Sequence, residues 1–438
     1  MTQDLTIGDI RKNMKSLAIP AGIGFLFHTL YNITDTFFAG QISTQALAAL
    51  SLSFPIFFIL LAIANGMSSA VNSIISNSLG SQEEKSTTAN IASNVLIFAL
   101  GLSVLVTFVG LQSSTYLLGL LGASGEYLST SKDYINIVIG GSVVFVMSMF
   151  INALLNAQGD MVSFRNILIF TFFINIALDY LAIKFGFGIK GIAYATVTTE
   201  TVTLIYLSYK LYKTALLQRE FTLDLQIYKN LLSQGIPPTT NMFFMSLGVF
   251  IIYYYVAGFG EHVIAAFGIG MKIEQLALLP IIGIEIAVLT MVSQNNGAKE
   301  YNRIDETIKL ALSYSFYISL FTLAMLWLFA AQIMGLFTND VEVIQEGVLY
   351  LRVESFIVYA FGVIFIYIAV LQGIQKPKFI FYLSLMRQII LPLILLSLLT
   401  LYTHNILYIW LAIAFSVVLA ALSVWLYTKK QLAKNRAV

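Results

Sequence analysis

The chain has 438 residues, of which 58% are hydrophobic and 11% charged, with a mean hydropathy of +0.84; so apolar a chain is no ordinary soluble protein and needs lipid as its solvent. A net charge of +2 carried by scattered basic residues leaves no nucleic-acid footprint, and no such partner is expected. Cysteine is absent, which removes disulfides, thiolate nucleophiles and zinc ribbons, and His28, His262 and His404 lack metal-ligand spacing.

Residues 1–15 carry charge of both signs ahead of an apolar run without a small-residue cleavage site, so the first run is expected to stay as a helix. Crossing a bilayer core takes about 20 apolar residues in helix. Twelve such runs follow in order, near 16–40, 47–78, 90–112, 133–156, 162–183, 191–213, 236–258, 263–294, 306–333, 347–373, 378–400 and 405–427. The pattern predicts an all-α membrane protein of twelve transmembrane helices. The second and eighth runs exceed a perpendicular span, which predicts tilt or protrusion.

Lys and Arg accumulate on cytoplasmic loops. With the N-terminus placed inside, 18 of the 24 fall on the inner side, four outside (Lys132, Lys184, Lys190 and Arg352) and two within spans (Lys272 and Arg387). Both termini are therefore expected in the cytoplasm of a bacterial or archaeal inner membrane. Lys184 and Lys190 fit this least well. The same topology puts the loop from 210 to 234 inside. A cysteine introduced at position 225 of this cysteine-free chain should then stay unlabelled by an impermeant thiol reagent in intact cells, and labelling from outside would refute the arrangement.

The chain repeats itself at an offset of 217 residues. Ile19-Pro20 recurs as Ile236-Pro237, Gly66 as Gly283, and Ala70-Val71 as Ala287-Val288. Ser76-Asn77-Ser78-Leu79-Gly80 recurs as Ser293-Gln294-Asn295-Asn296-Gly297. Six helices per half make the repeat parallel, about an axis along the membrane normal. The expected organisation is a cytoplasmic N-terminus (1–15), a six-helix lobe (16–213), an amphipathic linker (214–234) with Arg219, Glu220, Asp224 and Lys229, a second lobe (235–427) and a cytoplasmic tail (428–438).

An ionisable side chain at bilayer depth costs at least about 2–3 kcal/mol, so each one is a functional candidate. Asp35 lies five residues before the outer end of the first helix, about 8 Å of rise. Asp179, four residues from the outer end of the fifth helix, and Thr196, a turn into the sixth, reach the same depth, with Asn175 a turn deeper on the Asp179 face. Two carboxylates with amide and hydroxyl oxygens make a hard oxygen site that suits a small cation such as Na+ or a shared proton. The bland alternative is that the acids sit in the wet outer interface. His28, Asn32 and Asp35 form one polar stripe, expected to face the lobe interior.

Glu200 follows Thr196 on the same face and is expected to line a cavity below it. Glu274 and Glu285, eleven residues apart on the eighth helix, share a face, and Lys272 is expected to neutralise a neighbouring carboxylate. Asn32, Asn152, Asn156, Glu200, Glu274, Glu285 and Tyr253 are the candidates for a substrate cavity. Glu354, near the outer end of the tenth helix, is expected to matter little. Pro20, followed by Gly22 and Gly24, marks a hinge in the first helix. The second half has Ile252 or Tyr253 where the first has Asp35, so ion coupling is expected in one lobe only.

Tyr31-Asn32-Ile33-Thr34-Asp35-Thr36-Phe37-Phe38-Ala39-Gly40 resembles the opening signature of the MATE family of multidrug and toxin extrusion transporters. The likeness returns at Ser76 to Gly80, at Asn175-Ile176-Ala177-Leu178-Asp179 and at Ser293 to Gly297. It implies a V-shaped pair of six-helix bundles around a central cavity, exporting organic, mostly cationic, substrates in exchange for H+ or Na+. In the DinF-like branch the cation residues carry over onto Asp35, Asn175, Asp179 and Thr196. The acid-free seventh helix departs from the NorM-like pattern, which places acids on the first and fourth helices of the second lobe. The implied protein is a monomer that needs no cofactor beyond its coupling ion and works on small organic cationic or amphipathic molecules. The alternative is a flippase for a lipid-linked precursor, which calls for a strongly basic cavity; Lys272 and Arg387 alone do not supply one. No filter-like loop and no nucleophile-base pairing points to a channel or an enzyme.

Overall fold

The computed structural model describes residues 3–214, 216–217, 222–403 and 405–436. Arg219 and Glu220 of the expected linker, and His404, lie outside the described residues. The described chain is helical nearly throughout: α1 (Ile10–Ile42), α2 (Thr44–Gly80), α3 (Lys85–Leu120), α4 (Gly125–Gly140), α5 (Ser142–Ala157), α6 (Val162–Lys184), α7 (Gly188–Tyr212), α8 (Leu225–Val256), α9 (Glu261–Gly297), α10 (Tyr301–Gly335), α11 (Val341–Gly373), α12 (Lys378–Leu385), α13 (Leu391–Tyr402) and α14 (Ile406–Arg436). A π turn over Met386–Ile390 joins α12 to α13 into one span.

Ten described helices are long and apolar enough to cross a membrane, and the α4–α5 pair, bent by 44°, makes eleven. The twelfth predicted span is α7, which has the length, at 25 residues. It falls short in apolarity because it carries Lys190, Glu200 and a run of threonines. Bilayer contact explains a surface that no soluble protein would carry: Phe108, Phe173, Tyr180 and Phe321 are 63%, 61%, 57% and 66% exposed. Local signals set the ends. Ser43 caps α2 by accepting from the Ala46 amide at 3.0 Å, and Asp340 caps α11 by accepting from the Glu342 and Val343 amides.

The chain folds as two compact units. Unit 1 comprises Met1–Leu5 and Ile23–Thr239, unit 2 Thr6–Gly22 and Thr240–Val438. Each division falls inside a helix, after Gly22 in α1 and after Thr239 in α8, close to Pro20 in one and Pro237-Pro238 in the other. The two break points are themselves one repeat apart. Unit 1 is packed around two apolar clusters, one including Phe150, Leu154 and Leu207, the other Leu118, Ile135 and Ile192. Unit 2 is packed around Phe267, Tyr350 and Trp410. The segment expected as a linker enters α8 at Leu225; just before it, Thr222 and Asp224 dock on α3 through the side chains of Asn90 and Asn94.

The repeat is readable in backbone detail. α2 and α9 both have 37 residues and end on Gly80 and Gly297. Each is stopped two residues on by a left-handed residue, Gln82 with φ 54° and Lys299 with φ 58°.

Among the glycines, Gly66 and Gly283 make the closest approach to a neighbouring backbone in each unit. A Cβ on Gly66 would stand 2.4 Å from the backbone of Thr239, and one on Gly283 2.5 Å from the Ala18 carbonyl. Neither partner is a side chain that could swing away. Gly66→Ala and Gly283→Ala should therefore each cost stability at the upper end of about 1–3 kcal/mol. Gly101→Ala, with open space at its Cβ, should be neutral or stabilising by up to about 1 kcal/mol. Melting temperatures of the three variants in detergent check this; equal values would refute the close-approach reading.

Candidate functional site

Three helices build a polar centre in unit 1. α1 brings Asp35, α6 brings Asn175 and Asp179 one turn apart, and α7 brings Thr196. Asp35 is 5% exposed, Thr196 6%, and Asn175 and Asp179 are fully buried. The Thr196 hydroxyl donates to Asp35 Oδ2 at 3.1 Å. Asn175 and Asp179 also neighbour the Asp35 carboxyl. From α4, Tyr134 lies within electrostatic reach of both acids.

Five oxygen and nitrogen atoms here are buried with no hydrogen-bond partner among the described residues: Asp35 Oδ1, both carboxylate oxygens of Asp179 and both amide atoms of Asn175. Buried polar atoms left unpaired are costly, so such a cluster is expected to receive something. Its donors are all hard oxygens apart from the Asn175 nitrogen, which fits a small hard cation or a proton as cargo. Among the described residues no group of three or more His, Asp or Glu is arranged to hold a metal ion. The interface alternative for these acids fails on burial, since neither is wet from a surface.

Tyr31, a turn before Asp35, had no role assigned from sequence. Its hydroxyl hydrogen-bonds the Thr199 hydroxyl and lies 3.5 Å from the Thr196 carbonyl, within electrostatic reach of Asp35, Asp179 and Glu200. The four-residue spacing was the available signal. Nothing local pointed to Tyr134. Glu200 lies next to Ser148 of α5, and Asn152 and Asn156 follow on the Ser148 face at steps of four. Asn32 spends its amide on its own helix, donating to the His28 carbonyl at 2.9 Å.

Unit 2 holds a different constellation. Tyr350 of α11 donates to Glu274 Oε2 of α9 at 2.7 Å. Glu354, one turn along α11, is 3% exposed. Glu274 and Glu354 both interact with Arg387 from the π turn, whose guanidinium also sits over the Phe361 ring at 5.7 Å. Behind them Phe267 stacks on Trp410 at 5.5 Å, and Tyr253 meets Phe267 edge-on at 4.8 Å.

Three expectations change. Lys272 is exposed and pairs with neither carboxylate, because a step of two residues points it away from Glu274; the cation in electrostatic reach of Glu274 is Arg387. Glu354 is buried, its Oε1 has no hydrogen-bond partner among the described residues, and it lies in electrostatic reach of Glu274 and Arg387. Glu274 and Glu285 share a helix face, but Glu285 has no hydrogen bond or ion pair among the described residues and stands apart from the Arg387 cluster. Elsewhere His262 lies between the exposed carboxylates of Asp340 and Glu342, at 3.4 and 3.2 Å. A groove of about 540 Å³ between α6 and α7, lined by residues such as Phe170, Val202 and Ile205, contains none of the buried acids.

Comparison with known proteins gives the family. The MatE family profile matches twice, over residues 20–181 and 237–398, reproducing the 217-residue offset. A Thermotoga maritima protein described as a probable multidrug resistance protein NorM is 27% identical over 351 residues, covering 77% of this chain and 75% of that one. A Shewanella oneidensis protein described as an FAD transporter is 28% identical, covering 90% and 88%. A solved outward-facing structure of a multidrug resistance MATE family transporter of the MOP superfamily superposes with a TM-score of 0.93 at 25% identity, covering 99% and 98%. With two profile matches spanning most of its length, this multi-pass membrane protein belongs to the MatE family of transporters and is not an enzyme.

Proposed function

We propose that the chain is a secondary active multidrug efflux transporter, exchanging organic and mostly cationic molecules for H+ or Na+ by alternating access. The observation that carries this reading is the convergence of Asp35, Asn175, Asp179 and Thr196 in the interior of unit 1 with unsatisfied polar atoms turned on one another. Two carboxylates so placed repel unless a cation or a proton lies between them. Loading and unloading that charge is what couples a gradient to a conformational change. Pro20, beside the division of α1, is the hinge in this scheme. The N-terminal acid site favours a DinF-like assignment, and the inner-side excess of Lys and Arg favours cytoplasmic termini.

An anionic cargo is the competing reading, whether a lipid-linked phosphate or the FAD named for the Shewanella relative. It is disfavoured because Arg387 is already engaged by Glu274 and Glu354 and Lys272 is exposed outside that cluster. Purified protein in sealed vesicles, given a pH gradient or a Na+ gradient separately, tests the proposal. One of the two gradients should drive ethidium movement; failure of both would overturn it.

A further inference from the structure

Below the Asp35 and Asp179 pair, unit 1 contains polar groups that cation binding leaves unused. The Tyr31 hydroxyl hydrogen-bonds the Thr199 hydroxyl, next in sequence to Glu200, and Tyr31 is in electrostatic reach of Asp35, Asp179 and Glu200 alike. Glu200, one turn past Thr196 on α7, neighbours Ser148 on α5. α5 continues the series at four-residue steps, with Asn152 and then Asn156 in its last turn. The eight residues from Ser148 to Asn156 climb about 12 Å along the helix. Glu200 Oε2, Ser148 Oγ, Asn152 Oδ1 and Asn156 Oδ1 are all buried and have no hydrogen-bond partner among the described residues.

Four unsatisfied oxygens on one helix face and its neighbour are a costly arrangement for mere packing. An apolar residue at any of these positions would be cheaper in lipid-solvated helices. The row runs from the acid pair to the end of α5, where the chain turns and the Gln3 amide donates to the Gln158 carbonyl. That end is the cytoplasmic one on the topology expected from Lys and Arg.

Resting on the coupling role of Asp35 and Asp179, we propose that Tyr31, Thr199, Glu200, Ser148, Asn152 and Asn156 form a proton route from that pair to the cytoplasmic side, with Glu200 as the relay carboxyl. In the transfer, an O–H bond of the acid pair breaks and its proton passes to the Tyr31 hydroxyl as Tyr31 gives its own to the Thr199 hydroxyl it hydrogen-bonds, and Thr199 in turn gives its own to Glu200. The acid pair gains one negative charge and Glu200 loses one, so charge and protons balance. Glu200 then gives its proton to water held by the Ser148 hydroxyl and the two asparagine carbonyls. The groups facing Glu200 are Tyr31 from α1 and Ser148 from α5, neither a fixed cation.

The test compares wild type, Glu200→Gln, Glu200→Asp, Tyr31→Phe and Asp35→Asn in proteoliposomes, reading ethidium binding, ethidium-for-ethidium exchange and ethidium transport driven by a pH gradient alone. Glu200→Gln should lose pH-driven transport to the level of Asp35→Asn, a far larger loss than any it shows in ethidium binding or exchange. Glu200→Asp should recover part of it, and Tyr31→Phe should slow it. A loss of binding or exchange in Glu200→Gln as large as its loss of pH-driven transport would overturn the relay, making Glu200 a substrate or packing residue. So would wild-type pH-driven transport in that variant, or drive by a Na+ gradient and not by a pH gradient. In each of these three cases inactivity of Asp35→Asn leaves the coupling site standing. Activity of Asp35→Asn would remove the coupling site and the route together.

Discussion

Replacing Asp35 by Asn is expected to abolish gradient-driven export of a cationic drug while leaving insertion and folding intact. Asparagine has nearly the same volume, and its carbonyl can still accept the Thr196 hydroxyl that now donates to Asp35 Oδ2 at 3.1 Å. What it lacks is a charge that can be loaded and released. The buried position, with Asp179 as a neighbouring carboxyl, makes that charge the largest electrostatic event available to unit 1. Asp179→Asn should weaken export or shift its pH dependence, since the remaining acid no longer has to share. Drug resistance of cells at equal expression is the first readout and vesicle transport the second. If Asp35→Asn cells resist a cationic drug as well as wild type, the acid pair of unit 1 does not couple, and Glu274, Glu285 and Glu354 become the candidates.

Most of the architecture was legible because lipid simplifies the pattern. A span is a long apolar run closed by charge or by Gly, Pro and Asn, and all helix bonds are satisfied within the segment. The repeat was legible for a related reason: Gly66 and Gly283 are fixed by backbone contacts that no side chain can enter, so they mark the register. α7 shows the limit of apolarity as a signal, because its polar residues are there to serve the interior. Within unit 1, depth along each helix was enough to gather Asp35, Asn175, Asp179 and Thr196, since residues at equal depth on packed helices can meet.

Rotation about the helix axis was harder to read. Lys272 and Glu274 share a depth but point to different sides, and Glu354 looked peripheral because distance along α11 says nothing about what stands opposite. Arg387 came into reach through a π turn, a local widening of the helix that shifts the rotation of every residue after it. No periodicity in the residues around 386–390 announces that turn. Tyr134 illustrates the same gap, an ordinary aromatic residue on α4 whose relevance comes only from the acids it faces.

Arg387→Ala should be the most destabilising single charge change in unit 2. The substitution removes the cation in electrostatic reach of Glu274 and Glu354; the guanidinium makes no ion pair with either among the described residues, so the cost falls below the roughly 3–5 kcal/mol of breaking a buried contact pair. Arg387 is itself only half-buried, so solvent screening brings the cost down to about 1 kcal/mol. Glu354→Gln alone should cost less, because Arg387 keeps Glu274 as its counter-ion and Glu274 keeps the Tyr350 hydroxyl at 2.7 Å. Combining Arg387→Met with Glu354→Gln removes the charge conflict while keeping volume, so the double variant should melt well above Arg387→Ala. A double-mutant cycle on melting temperature in detergent isolates the coupling, which direct neighbours of this kind are expected to show at about 0.5–3 kcal/mol. Additive effects, or an Arg387→Ala variant as stable as wild type, would mean that the guanidinium finds its stabilisation in the Phe361 ring and that the two glutamates are held neutral without it.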